Sequence, residues 1–219
     1  IKPWIEISGG RDRLAGGNES FVTGALSLDL IKNGNFVVSY ARGKEPWAGR
    51  IFEADKFALD GKIQLTNQVF LKGSTFWADS IFYDRVNPFS GKMRGQLIGA
   101  TLQPTLKLQE VFSYEHVDFV RASTGQEIYN VHLINTKTIY QFDEHFFLRA
   151  IIQFDSFKKQ VLTDFLASYT LVPGTAVYLG YGALLEKRQW ERDAWRSGVG
   201  DYLGVRRSLF FKASYLWRL

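Results

Sequence analysis

Alternation with a period of two recurs along this chain in run after run, and no stretch carries a convincing helical period. Successive side chains of a strand point to opposite faces, so such a chain folds as strands with two unlike sides. The last run states the pattern most fully. One side of Val205–Leu219 reads Leu209, Phe211, Ala213, Tyr215, Trp217 and Leu219. The other reads Arg206, Ser208, Phe210, Lys212, Ser214, Leu216 and Arg218. An unbroken apolar side opposite a cationic one suits a strand with hydrocarbon on one side and water on the other.

Composition agrees where it matters. The chain has 219 residues, 46% of them hydrophobic and 16% aromatic, with 20 glycines and no cysteine. No apolar run reaches the roughly eighteen residues a membrane helix needs, whereas barrel strands need only about 9–11 with alternate residues facing lipid. The absence of cysteine removes disulfides, thiolate metal sites and thiol catalysis. The formal charge of +5 is dispersed, without the basic run that tracks nucleic acid. The opening Ile1-Lys2-Pro3-Trp4 has no signal-peptide pattern, so the chain reads as one barrel domain over 1–219 taken from something longer.

In order, alternation places strands at Trp4–Ser8, Ser20–Leu30, Phe36–Ala41, Phe57–Leu65, Val69–Ala78, Met93–Leu102 and Leu106–His116. It continues with a strand ending near Phe142, then Phe146–Phe157, Val161–Val172, Ala176–Leu185 and the closing run. Asn33-Gly34 supplies the positive φ of a tight turn, and Pro173-Gly174 fits the centre of a type II turn. Short turns near Asn33, Asn67, Pro104, Asp143 and Pro173 fall at one end of the meander. Longer connections, including Asp79–Lys92, Val117–Gly125 and Glu186–Gly200, fall at the other. This asymmetry belongs to outer-membrane barrels. The expected fold is therefore all-β: an up-and-down antiparallel transmembrane barrel of about twelve strands in the bacterial outer membrane. Glu110 breaks the pattern among Leu106, Leu108, Phe112 and Tyr114, and is expected to mark a bulge or a register slip.

The segments Tyr140-Gln141-Phe142-Asp143, Phe147-Leu148-Arg149-Ala150, Tyr169–Leu179 and Arg207–Leu219 resemble an uncharacterised bacterial outer-membrane family. In it a family-9-type carbohydrate-binding domain precedes a large β-barrel. The resemblance covers roughly the last eighty residues, at the C-terminal end of that barrel. It implies an envelope component that handles saccharides, although the sugar-binding domain itself is not in this chain. It also implies that Tyr215, Trp217 and Leu219 form the C-terminal signal read by the outer-membrane assembly machinery. The chain departs from the usual terminal Phe or Trp by ending in Leu219.

Charges on the polar sides form the expected lumen lining: Asp60, Lys62, Lys72, Arg94, Lys107, Lys137, Arg149, Asp155, Asp164, Lys212 and Arg218. Both signs are present, so the set suits a polar channel or a salt-bridged filling of the interior. Trp47, Trp77, Tyr83, Phe89, Trp190 and Trp195 fall in or beside the long connections. There they form an aromatic girdle or platforms on which glycan rings stack. Arg50, Lys187, Arg188 and Arg192 sit where lipopolysaccharide phosphates or plain solvent would meet them. The expected partners are membrane lipid, lipopolysaccharide, the assembly machinery and a saccharide, and no nucleic acid.

No enzyme activity, cofactor or metal is expected. His116, His132 and His145 have no metal-ligand spacing, and no Gly-x-Ser-x-Gly elbow accompanies them. Gly9-Gly10 and Gly16-Gly17 are not followed by helices, so they are not phosphate cradles. A soluble all-β binding module and a barrel-embedded hydrolase stay open as alternatives.

Overall fold

The computed structural model describes residues 1–12, 17–191 and 194–216. Among them the regular elements are all strands. They are β1 (Lys2–Asp12), β2 (Gly17–Leu30), β3 (Gly34–Trp47), β4 (Arg50–Glu53), β5 (Lys56–Thr66), β6 (Val69–Phe82) and β7 (Phe89–Leu102). Then follow β8 (Leu108–Arg121), β9 (Glu127–Gln141), β10 (Phe146–Asp155), β11 (Gln160–Val172), β12 (Thr175–Glu191), β13 (Ala194–Ser197) and β14 (Asp201–Ser214). Strands pair in chain order from β1 to β13, with β4 folding back on β3 and β14 on β12. The fold is an up-and-down antiparallel β meander, as the alternation predicts, with fourteen strands where about twelve were expected.

The two additional strands are β4 and β13. Residues expected in loops continue the strands instead: β3 runs on to Trp47, β6 to Phe82, β8 to Arg121 and β12 to Glu191. Backbone pairing explains this. Glu45 to Phe52 and Trp190 to Trp195 are cross-strand partners, so hairpin hydrogen bonds hold these segments extended whatever their side chains. β1 likewise extends past Ser8 to Asp12, where the sequence suggested a loop.

The described chain forms two compact units. Unit 1 comprises Ile1–Thr66, Phe70–Ile98 and Glu115–Val131; unit 2 comprises Asn67–Val69, Gly99–Tyr114 and His132–Leu219.

In unit 1, cross-strand partners share a face. Ile5 pairs Gly24, Leu26 pairs Val38, and Tyr40 pairs Phe57. That face is apolar and exposed: Ile5 is 77% exposed and Leu26 52%. The opposite face pairs Glu6 with Thr23, Ala25 with Ser39, and Asn35 with Lys62, and Ala25 and Ala58 are buried on it.

Unit 2 repeats the division. Leu148 pairs Tyr140 and Ala167, while Phe165 pairs Ala150 and Tyr181. Leu209 and Phe211, on the matching face of β14, are 72% and 69% exposed. Apart from glycines, the buried apolar residues among those described are Ala25, Phe52, Ala58, Ile81, Phe119 and Ala176. Half of these are alanines, so the greasy faces are not pressed together in a dry centre.

The sheltered face solves its packing with rings laid over bare backbone. A Cβ built on Gly91 would lie 2.1 Å from Phe119 Cζ, and one on Gly180 would lie 1.8 Å from Phe210 Cε1. Only glycine admits an aromatic ring this close to a neighbouring strand.

The turns follow the expected residues in part. Gly174 has φ of 91°, as the second central position of a type II turn requires. At the first hairpin the positive φ falls on Lys32 and Asn33, at 56° and 51°, and Gly34 already pairs Leu30 in the ladder. The turn is one residue earlier than Asn-Gly suggested. Glu110 marks neither slip nor bulge: Thr138 Oγ1 donates to its carboxylate at 2.7 Å. Thr138 pairs Ala150 on the exposed apolar face of unit 2, so Glu110 does lie on that face, with a hydrogen bond to meet it. Register shifts occur elsewhere, at Thr170/Val172 and Leu184/Leu185.

Candidate functional site

The sheltered face of unit 2 is the better-defined polar surface. Reading across β9, β10, β11, β12 and β14, the ladder sets out consecutive rungs. One rung joins Gln141, Phe147, Ser168, Tyr178 and Lys212; the next joins Ile139, Arg149, Leu166, Gly180 and Phe210. The third joins Lys137, Ile151, Asp164, Gly182 and Ser208; the fourth joins Asn135, Gln153, Leu162, Leu184 and Arg206. Arg149 donates from Nη2 to Asp164 Oδ1 at 3.0 Å, and Lys212 Nζ lies 5.9 Å from the Tyr178 ring. Lys137, Arg149, Asp164 and Lys212 thus occupy one wall, as their alternation suggested. Arg206 joins them. Its place in the same alternation as Lys212 was the signal for it, and the expected lining left it out.

Other members of the expected lining fall in different places. Asp60, Lys62 and Lys72 border one hollow of unit 1 with Asn35 and Ser74. Arg94 does not belong to that side. On β7, Gly91 and Gly95 are enclosed while Lys92, Arg94, Gln96 and Ile98 are exposed, and Arg94 borders a hollow with Tyr40, Phe57 and Trp77 of the apolar face. Its Nε donates to Asp118 Oδ1 at 3.1 Å, and Lys92 pairs Asp79 beside it. Ion pairing makes an outward guanidinium tolerable there. Lys107 lies in the connection before β8, where its ammonium donates to Phe142 O at 2.6 Å. Asp155 accepts the amides of Phe157 and Lys158, both at 2.9 Å, so it closes the turn after β10. Arg218, with Trp217 and Leu219 of the expected assembly signal, lies outside the described residues, as does Arg192. Tyr215 is 71% exposed.

The six aromatics separate into three kinds. Trp77 is a strand residue, tilted against Phe57 at 5.9 Å, and belongs to the exposed apolar face. Phe89 packs inward, stacked on Phe82 at 4.8 Å with the Arg121 guanidinium 3.8 Å from its ring centre. Phe119, 1% exposed, and Tyr129 complete that cluster, their rings 5.4 Å apart. The remaining four form edge-to-face pairs at strand ends. Trp47 meets Tyr83 at 5.1 Å, and Trp190 meets Trp195 at 5.3 Å.

The Trp47–Tyr83 pair is fixed by hydrogen bonds. Trp47 Nε1 donates to Asp84 O at 2.9 Å, and Tyr83 Oη donates to Glu45 at 2.7 Å. Burial first, then the bonded Glu45 carboxylate, push the Tyr83 phenol from 10.0 up to about 12. Folding therefore favours the neutral phenol. Any stability it lends is complete below the ordinary value and is lost as pH rises through the folded one. In an absorbance titration Tyr83 is expected to ionise late, and Glu45→Gln to bring its ionisation back toward the ordinary range. An unchanged curve in that variant would mean the carboxylate has no hold on the phenol.

The histidines are apart in role. His116 meets Asn130 Oδ1 at 2.9 Å, His132 meets the Tyr114 hydroxyl at 2.8 Å, and the His145 ring lies 6.3 Å from Tyr169. Among the described residues no group of three or more His, Asp or Glu is placed to hold a metal.

No family profile and no curated protein sequence matches the chain. Among solved structures it is similar to a NanC porin, at 12% identity and a TM-score of 0.38, over 98% of this chain and 99% of that one. It is also similar to the CymD monoaromatic hydrocarbon channel, at 10% identity and a TM-score of 0.35, over 84% and 73%. No property of either is carried over here.

Proposed function

We propose that this chain is an outer-membrane β-barrel that acts as an envelope pore or surface-binding component for saccharides. The observation that carries the reading is the two-faced sheet. In both units an apolar face is exposed while polar and small residues occupy the sheltered one. In water such a surface, with Ile5, Ile7, Leu209 and Phe211 each more than two-thirds exposed, would drive aggregation. Against hydrocarbon it is the favourable arrangement. The barrel's neighbours are then membrane lipid and lipopolysaccharide, and the assembly machinery delivers it.

The saccharide half of the reading has narrower support. Trp47 with Tyr83, and Trp190 with Trp195, offer ring faces at strand ends with acids and bases close by, which suits stacking on sugar rings. The resemblance at Tyr169–Leu179 and Arg207–Leu219 points the same way.

Electrophoretic heat-modifiability of the detergent-refolded chain tests the membrane reading. A barrel is expected to migrate faster unheated than boiled, and to float with lipid vesicles through a density gradient. A monodisperse protein that stays soluble without detergent would end the proposal.

A further inference from the structure

We infer that the sheltered wall of unit 2 is a track for anionic solutes. This rests on the pore reading and adds the solute class.

The argument is the distribution of charge over the four rungs. Each carries one cation: Lys212, Arg149, Lys137 and Arg206 in turn. Across the same rungs the only carboxylate is Asp164, and it is bonded to Arg149 at 3.0 Å. Rungs on one face of a strand are two residues apart, about 6.8 Å. The positive charges therefore recur in steps short enough for an anion to leave one as it nears the next. β12 adds Gly180 and Gly182 on the two central rungs, which narrows the side-chain cover there to Phe210 and Ser208 of β14. Hydroxyls of Ser168, Tyr178 and Ser208 and the amides of Gln141, Gln153 and Asn135 supply hydrogen bonds between the cations.

The contrast lies within the protein. On the sheltered face of unit 1 the signs alternate: Lys2 bonds Asp29 at 2.7 Å, and Asp60 shares its hollow with Lys62 and Lys72. A wall that served only as salt-bridged filling would resemble that one. The unit 2 wall has three cations without a carboxylate on their rungs, or on the same rung only at two strands' distance in the case of Lys137. Rows of Lys and Arg lining a pore favour anions by lowering their entry barrier and raising that of cations.

The test is the reversal potential of the full chain in planar bilayers under a potassium chloride gradient. Chloride is expected to be favoured over potassium, and the triple variant K137E/R206E/K212E to lower that ratio by about tenfold. Arg149 is left in place because of its bond to Asp164. Should charge reversal prevent refolding, K137Q/R206Q/K212Q is expected to lower the ratio about threefold. A conducting wild type with no anion preference, or a preference that survives these changes, overturns the track alone. A wild type that inserts, shows heat-modifiability and yet conducts nothing overturns the pore reading and the track with it.

Discussion

Replacing Gly91 by alanine is expected to destabilise the inserted protein by about 3 kcal/mol, the upper end of ordinary overpacking costs. The new methyl would arrive 2.1 Å from Phe119 Cζ and 2.6 Å from both Cε atoms, inside any real contact distance. Phe119 has nowhere to retreat. It is 1% exposed, with Phe82, Phe89 and Tyr129 at centroid distances of 6.3, 6.2 and 5.4 Å. Gly24 is the control, because a Cβ there meets nothing within 4 Å. Gly24→Ala is expected to be neutral or to stabilise by about 0.5 kcal/mol, since glycine weakens a strand through its unfolded-state freedom. Urea midpoints of the two variants in lipid vesicles decide the matter. Equal midpoints would mean the ring does not rest on that backbone.

The second large effect separates two adjacent residues. Phe165→Arg is expected to cost about 2–4 kcal/mol, the range for a cation facing lipid near the midplane. Leu166→Arg is expected to be much milder. Phe165 pairs Ala150 and Tyr181 on the exposed apolar face, whereas Leu166 pairs Arg149 and Gly180 on the sheltered one. A soluble domain predicts the opposite order, because arginine replacing an exposed phenylalanine would raise solubility. The readout is the fraction that becomes heat-modifiable on refolding into vesicles. If Leu166→Arg is the damaging change, the apolar face does not meet hydrocarbon.

Alternation made most of this architecture legible. The closing strand, β2 with β3, and β10 with β11 have the faces their sequences suggest, because each lies where one side is apolar and the other is not. Strand ends were harder to read. Lys44–Trp47 and Glu186–Glu191 carry polar or charged groups on both sides, so the period vanishes although the ladder continues. Arg94 was misplaced for a related reason. A charge was taken to point inward, yet the enclosed positions of β7 are the glycines that make room for Phe119 and Phe76. An aromatic ring resting on a glycine two strands of sequence away leaves no period to find. Arg206, by contrast, was legible and omitted, and the cationic wall emerges only when β9 through β14 are set in register.

The unequal ends of the meander bear on how such a chain would enter a bilayer. One end has only close reversals, such as 67–68 and 173–174. The other carries the β3–β4 and β12–β13 hairpins with Arg50, Glu53, Lys187 and Arg188. Each hairpin must push its ionic tip through hydrocarbon before its backbone pairs, at a transient cost of about 3 kcal/mol for each unshielded charge. Speed of entry is therefore governed by the charged tips, and permanence by the greasy wall, so evolution can adjust either without disturbing the other.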